Sequence, residues 1–132
     1  MTIWRHLRTT PHWTDAGGWV LRGGVALFFI GMGADKFRNG PSGEWVRLFA
    51  QIGLGQWFRY FTGLVEIGGA LLYVFPLTTM IGVALLGCTM VGAITVHVFI
   101  RHSFAALMPA AALLAVVAIG LREPEHRLST LR

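Results

Sequence analysis

Residues 67–100 read IGGALLYVFPLTTMIGVALLGCTMVGAITVHVFI, a run without a formal charge between Glu66 and Arg101. As one helix at 1.5 Å per residue it would be about 50 Å long, far beyond the ~30 Å hydrocarbon core of a bilayer. Pro76 divides it, because proline lacks the N–H that a continuing helix needs. Val74-Phe75-Pro76-Leu77 then reads as a tight turn between two antiparallel helices. Outward from there, Arg101-His102-Ser103 forms a second short turn, and further apolar segments lie at about 18–34 and 104–121. Short connections favour an up-down-up-down arrangement. The expected fold is an all-α membrane protein. It is an antiparallel four-helix transmembrane bundle forming a single domain over residues 1–132, with helices at about 18–34, 57–75, 77–100 and 104–121.

The connection from Asp35 to Gln56 has a different pattern. Asp35, Lys36, Arg38, Asn39, Gly40 and Pro41 have turn composition. Trp45, Leu48, Phe49 and Ile52 then recur at i, i+3, i+4 and i+7, one face of a helix. A short amphipathic helix at about 43–52 is expected at the membrane surface or against the mouth of the bundle, ended by Gly53 and Gly55.

Composition agrees. Of 132 residues, 55% are hydrophobic and 13% charged, with mean hydropathy +0.62. A soluble domain carries about a quarter charged residues. The net charge of +5 comes from ten Arg and one Lys against six acids. These cations are scattered at the ends of apolar runs, where they can snorkel to headgroups, and no basic helix is present, which argues against a nucleic-acid partner. The lone Cys88 excludes an internal disulfide and reads as an inert thiol in an apolar run. The first 17 residues lack the continuous apolar core of a signal peptide; Ile3, Trp4 and Leu7 suit a short interfacial helix. Basic residues divide evenly, Arg5, Arg8, Arg122, Arg127 and Arg132 against Lys36, Arg38, Arg47, Arg59 and Arg101, so the positive-inside rule abstains. Four helices nevertheless place both termini on one side. Small residues four apart, such as Ala84, Cys88 and Gly92, suit close helix packing in lipid.

An ionisable residue inside the membrane is costly and so marks a candidate site. Glu66 lies roughly 13 Å in from Trp57, near the midplane. It reads as a structural ion pair with Arg22 or Lys36, as a hydrogen-bond partner for a polar ligand head, or as part of a proton path. Arg22, near the start of the first helix, either bends toward Glu66 or snorkels. Asp35 and Lys36 close the first helix on the surface where His97 and Arg101 also arrive. Lys36 also suits a helix C-terminus as an ordinary dipole-stabilised cation. His97 is a haem ligand, a proton donor to a quinone oxygen, or a histidine satisfied by a backbone carbonyl. His102 falls past the helix end, and His6, His12 and His126 fall on the opposite face, so haem and metal sites are disfavoured. No catalytic triad, phosphate loop or zinc spacing is present, and no catalytic residue can be assigned.

Arg22, Gly31 and Lys36-Phe37, then Phe49-Ala50-Gln51-Ile52-Gly53-Leu54-Gly55, then Tyr60-Phe61-Thr62-Gly63-Leu64-Val65-Glu66-Ile67-Gly68-Gly69-Ala70-Leu71-Leu72 follow in an order that resembles the DoxX family of small membrane proteins. The resemblance covers residues 18–121, and its most specific part is Gly63-x-x-Glu66-x-x-Gly69. It implies a four-helix bundle in a bacterial cytoplasmic membrane with both termini cytoplasmic. It also implies kinship with small subunits of a thiosulfate:quinone oxidoreductase and with membrane partners of soluble redox enzymes. Arg22, Lys36, Gly63 and Glu66 carry the family pattern.

Three functions compete. In the first, the chain is a membrane subunit that binds a quinone or lipid-like ligand and serves, at most, as part of a quinone-linked oxidoreductase. Glu66 and Arg22 would then form a polar floor, with His97, Lys36 and Asp35 at the mouth and Trp45, Phe49 and Trp57 as aromatic walls. In the second, it is a ligand-free anchor or assembly factor that docks a protein partner, or a second copy of itself, on the Trp45, Phe49 and Trp57 surface. The third, a small proton-coupled transporter, lacks broken-helix signals at matching places in two halves.

Overall fold

The computed structural model describes residues 16–38 and 43–121. Five α-helices stand among them: α1 Ala16–Arg38, α2 Glu44–Ile52, α3 Gly55–Val74, α4 Thr79–Thr95 and α5 Leu107–Gly120. A π-helical turn, Val96–Ile100, continues α4, and a 3-10 turn, Phe104–Ala106, precedes α5. No strand occurs among the described residues. The expected N-terminal interfacial helix and the terminal arginines lie outside them.

The turn at Pro76 forms as expected and is two residues longer at its far side. Thr78 Oγ1 donates to the Leu72 carbonyl at 2.8 Å, and Thr79 Oγ1 to the Phe75 carbonyl at 2.9 Å. These hydroxyls occupy carbonyls that the end of α3 leaves without intrahelical donors. The helix after the turn therefore starts at Thr79 rather than 77. The final helix also starts late, at Leu107 rather than 104. Pro109 is its third residue, and proline is tolerated in a first turn because that N–H has no intrahelical acceptor. At the other end of the apolar runs, α1 continues through Asp35, Lys36 and Arg38, so these residues are helical rather than part of the connection.

α1 packs on α3, α3 on α4, and α4 on α5. The contacts depend on glycine where backbones nearly touch. A Cβ on Gly82 would lie 2.5 Å from Tyr73 N, and one on Gly33 would lie 2.8 Å from the Gly63 carbonyl oxygen. The core gathers Ala26, Phe29, Ala70, Tyr73, Leu86, Met90 and Val116. Tyr73, wholly buried, donates its hydroxyl to the Val116 carbonyl at 3.3 Å. α2 lies at the far end against α3 and the π turn, burying Leu48 and Phe49.

Two helical stretches are long and apolar enough to cross a membrane, Ala16–Arg38 and Thr79–Ile100. Only 11% of the apolar window in the second is buried within the protein, the reverse of a soluble core helix. Leu27, Leu64, Leu77, Phe99 and Leu114 all face outward, more than half exposed. Such a surface suits hydrocarbon rather than water. The α3 helix carries Arg59 and Glu66, and the helical stretch Phe104–Gly120 is shorter than a full span.

Candidate functional site

Lys36 sits in the last turn of α1 and Glu66 in the second half of α3. Antiparallel packing at Gly33 and Gly63 brings them together, and Lys36 Nζ donates to Glu66 Oε2 at 2.5 Å. Both side chains are about 95% buried. Among the described residues, no other group bonds the Glu66 carboxylate. Removing two charges from water is costly unless they are paired, and this pair satisfies that condition.

The same lysine lies over the Trp45 ring of α2, 4.4 Å from its centroid. Trp45 Nε1 donates to Asp35 Oδ2 at 2.9 Å. One turn of α1 thus supplies both a cation beneath the indole and an acceptor for its N–H. At the other end of the chain's mouth, Arg101 reaches Glu44 at 3.3 Å, an exposed pair that joins the start of α2 to the end of the π turn. Phe49 meets Phe58 at 5.9 Å between centroids, and Phe58 stacks on Phe61 at 6.1 Å. The αL residue Gly53 (φ 82°) and Gly55 (φ 75°) let the chain reverse from α2 into α3.

Beneath α2 is a cavity of about 770 Å³. Lys36, Glu66, Asp35, His97, Glu44 and Arg101 line it, and most of its remaining wall is apolar, including Phe28, Met32, Phe49, Met90 and Met108. His97 lies in the π turn, and its Nδ1 is 3.4 Å from Ser103 Oγ. π turns interrupt regular helix pairing and recur at functional sites.

Six of the eight sequence-selected residues border this one space: Glu66, Lys36, Asp35, His97, Trp45 and Phe49. The other two do not. The register that pairs Gly33 with Gly63 sets Arg22 level with Val74 at the end of α3, about 12 Å along the helices from Glu66, and Arg22 does not line the cavity. Arg22 is buried at the opposite end. Trp57 is 66% exposed and packs edge-on to Phe58, while Phe58 itself turns inward. Phe49, only 5% exposed, is a wall rather than an outer docking surface. The sequence reading missed Glu44 and Ser103 as partners of Arg101 and His97, and the contribution of α5 through Met108 and Pro109. No sequence signal distinguishes those last two from other apolar helix residues. No cluster of three metal-ligating side chains occurs among the described residues.

The helices and the apolar exterior define a small helical membrane protein whose interior holds a cavity with a buried ion pair on its wall. The chain belongs to the DoxX-like family, whose model matches residues 20–119. No curated protein and no solved structure is detectably similar to it.

Proposed function

We propose that this protein is an integral membrane subunit that binds a quinone or similar lipid-like ligand and supports a membrane-associated redox complex. In this reading α1, α3, α4 and α5 form a four-helix transmembrane bundle in a bacterial cytoplasmic membrane. Both termini lie on one side. The observation that carries the reading is the cavity itself. At about 770 Å³ it falls in the size range of small-molecule sites. Its apolar wall suits a ring and tail, and its few polar groups are grouped near one end.

The residues divide the work by chemistry. The Lys36 ammonium has three N–H donors, one given to Glu66, so it can also donate to a ligand oxygen. Glu66 holds that ammonium in place. His97 offers a ring nitrogen as a second polar contact. Together they would hold a head bearing two oxygens while Phe28, Phe49 and Met108 contact its ring and tail. Electron transfer would belong to a partner enzyme.

Titration of the purified protein in lipid nanodiscs with a short-tailed ubiquinone analogue tests the reading. Saturable binding is expected, weakened about tenfold or more in Glu66→Gln, the loss typical of one charge-assisted hydrogen bond. No saturable binding to the native protein would overturn it.

The anchor reading keeps one specific support: the outer face of α2 exposes Glu44, Arg47 and Gln51. Pulldown from native membranes distinguishes it. A stoichiometric partner kept by Glu66→Gln but lost on Arg47→Glu would favour docking.

A further inference from the structure

The cavity is closed at two ends and bordered by one loosely packed side. At its deep end Met90 lines it and joins the core of Phe29, Tyr73 and Val116, which are at most 1% exposed. At its roof, α2 buries Leu48 and Phe49 and is held by the Trp45–Asp35 hydrogen bond and the Glu44–Arg101 ion pair. On its sides, α1 packs along α3, α3 along α4 and α4 along α5, but α1 and α5 scarcely meet. Phe28 of α1 and Met108 of α5 border that seam; both line the cavity, yet they are 43% and 52% exposed. Both side chains border open space, and they belong to the two helices that scarcely pack together. The exterior at this level is the apolar surface that a bilayer covers.

We infer that the seam between α1 and α5 is a lateral portal through which an apolar-tailed molecule enters from the hydrocarbon phase, with Phe28 and Met108 as its lips. The inference deepens the proposed function, on which the identity of the occupant rests, by stating the phase from which it comes. A charged or water-dissolved molecule would have to lift α2, breaking its two tethers. A bilayer-dissolved molecule passes between side chains without disturbing a hydrogen bond. Its tail can remain in the seam while its head reaches Lys36 and His97. The α3–α4 side is a poorer route, because Gly82 lies against the Tyr73 backbone and Gly69 against Leu85 and Leu86.

The portal is tested with a thiol inside the cavity and no quinone at all. Ala93 lines the cavity, so Ala93→Cys is placed in a Cys88→Ser background and the full chain is put in lipid nanodiscs. Two reagents are compared, a dodecyl maleimide dissolved in the bilayer and a charged, membrane-impermeant maleimide in water. The bilayer reagent is expected to react about a hundredfold faster, since a charge entering hydrocarbon pays at least that factor. Met108→Trp should slow the bilayer reagent about tenfold, an effect of ordinary steric overpacking; Phe28→Trp serves the same purpose should the first variant fold poorly. Glu44→Gln, which loosens the roof, should leave the bilayer rate unchanged, as should Val91→Trp, an exposed α4 position outside the cavity wall. Equal rates for the two reagents, or slowing by Val91→Trp but by neither lip variant, would overturn the portal. Quinone binding can fail while the portal stands, and the reverse, so the two readings fail separately.

Discussion

Lys36 and Glu66 stand thirty positions apart in the chain and share one hydrogen bond in the interior. Their pairing makes a sharp energetic prediction. Lys36→Met leaves a buried carboxylate without its cation and should cost about 3–5 kcal/mol. Glu66→Leu leaves the ammonium unpaired and should cost a similar amount, again about 3–5 kcal/mol. The double variant, which removes both charges, should recover most of that loss. Thermal unfolding in detergent micelles measures all three. Additive losses would show that the two side chains do not depend on each other. This site was partly legible in the sequence because a charge among apolar neighbours is expensive and so conspicuous. Glu66, Lys36 and His97 each stood out in that way. Arg22 stood out equally, but its depth relative to Glu66 depends on helix register, which the Gly33–Gly63 contact sets and spacing alone does not reveal.

At the scale of the element, α2 was the most readable piece: its apolar positions at i, i+3, i+4 and i+7 match the buried Leu48 and Phe49. How it is held was not readable, since the Trp45–Asp35 and Glu44–Arg101 contacts join residues on separate helices. Trp45→Phe keeps the ring and removes the N–H. It should raise amide exchange across Glu44–Ile52 by about tenfold, the worth of one hydrogen bond to a charged group, with little change in α4. The π turn was also hidden. Nothing in the residues around Thr95 and Val96 marks the change from α to π pairing. Glycine gives the clearest contrast between elements. Gly82→Ala places a Cβ against the Tyr73 backbone and should destabilise the α3–α4 contact by about 1–3 kcal/mol. Gly92→Ala meets nothing within 4 Å and should be neutral or stabilising by about 0.5–1 kcal/mol. Unfolding by denaturing detergent compares the two; equal effects would contradict the packing described for Gly82.

Across the whole molecule, hydropathy and Pro76 were enough to indicate helices that alternate in direction, and the DoxX-like resemblance agreed with them. The cavity was not legible, because an empty volume arises from how far helices diverge, and no residue type encodes that distance. It forms where the tightly packed end around Tyr73 and Val116 gives way to the end covered by α2. Its wall takes apolar residues from α1, α3, α4 and α5, and its polar groups come mainly from the helix ends beneath α2. The central claim is that this space holds a quinone-like ligand by means of Lys36 and Glu66. The most direct measurement is the quinone retained per protein after purification in mild detergent from quinone-containing membranes. It is made on the native chain and on the folded Lys36→Met, Glu66→Leu double variant. The account predicts close to one quinone per native chain and almost none in the variant. Quinone absent from the native chain, or retained equally by both, would contradict it.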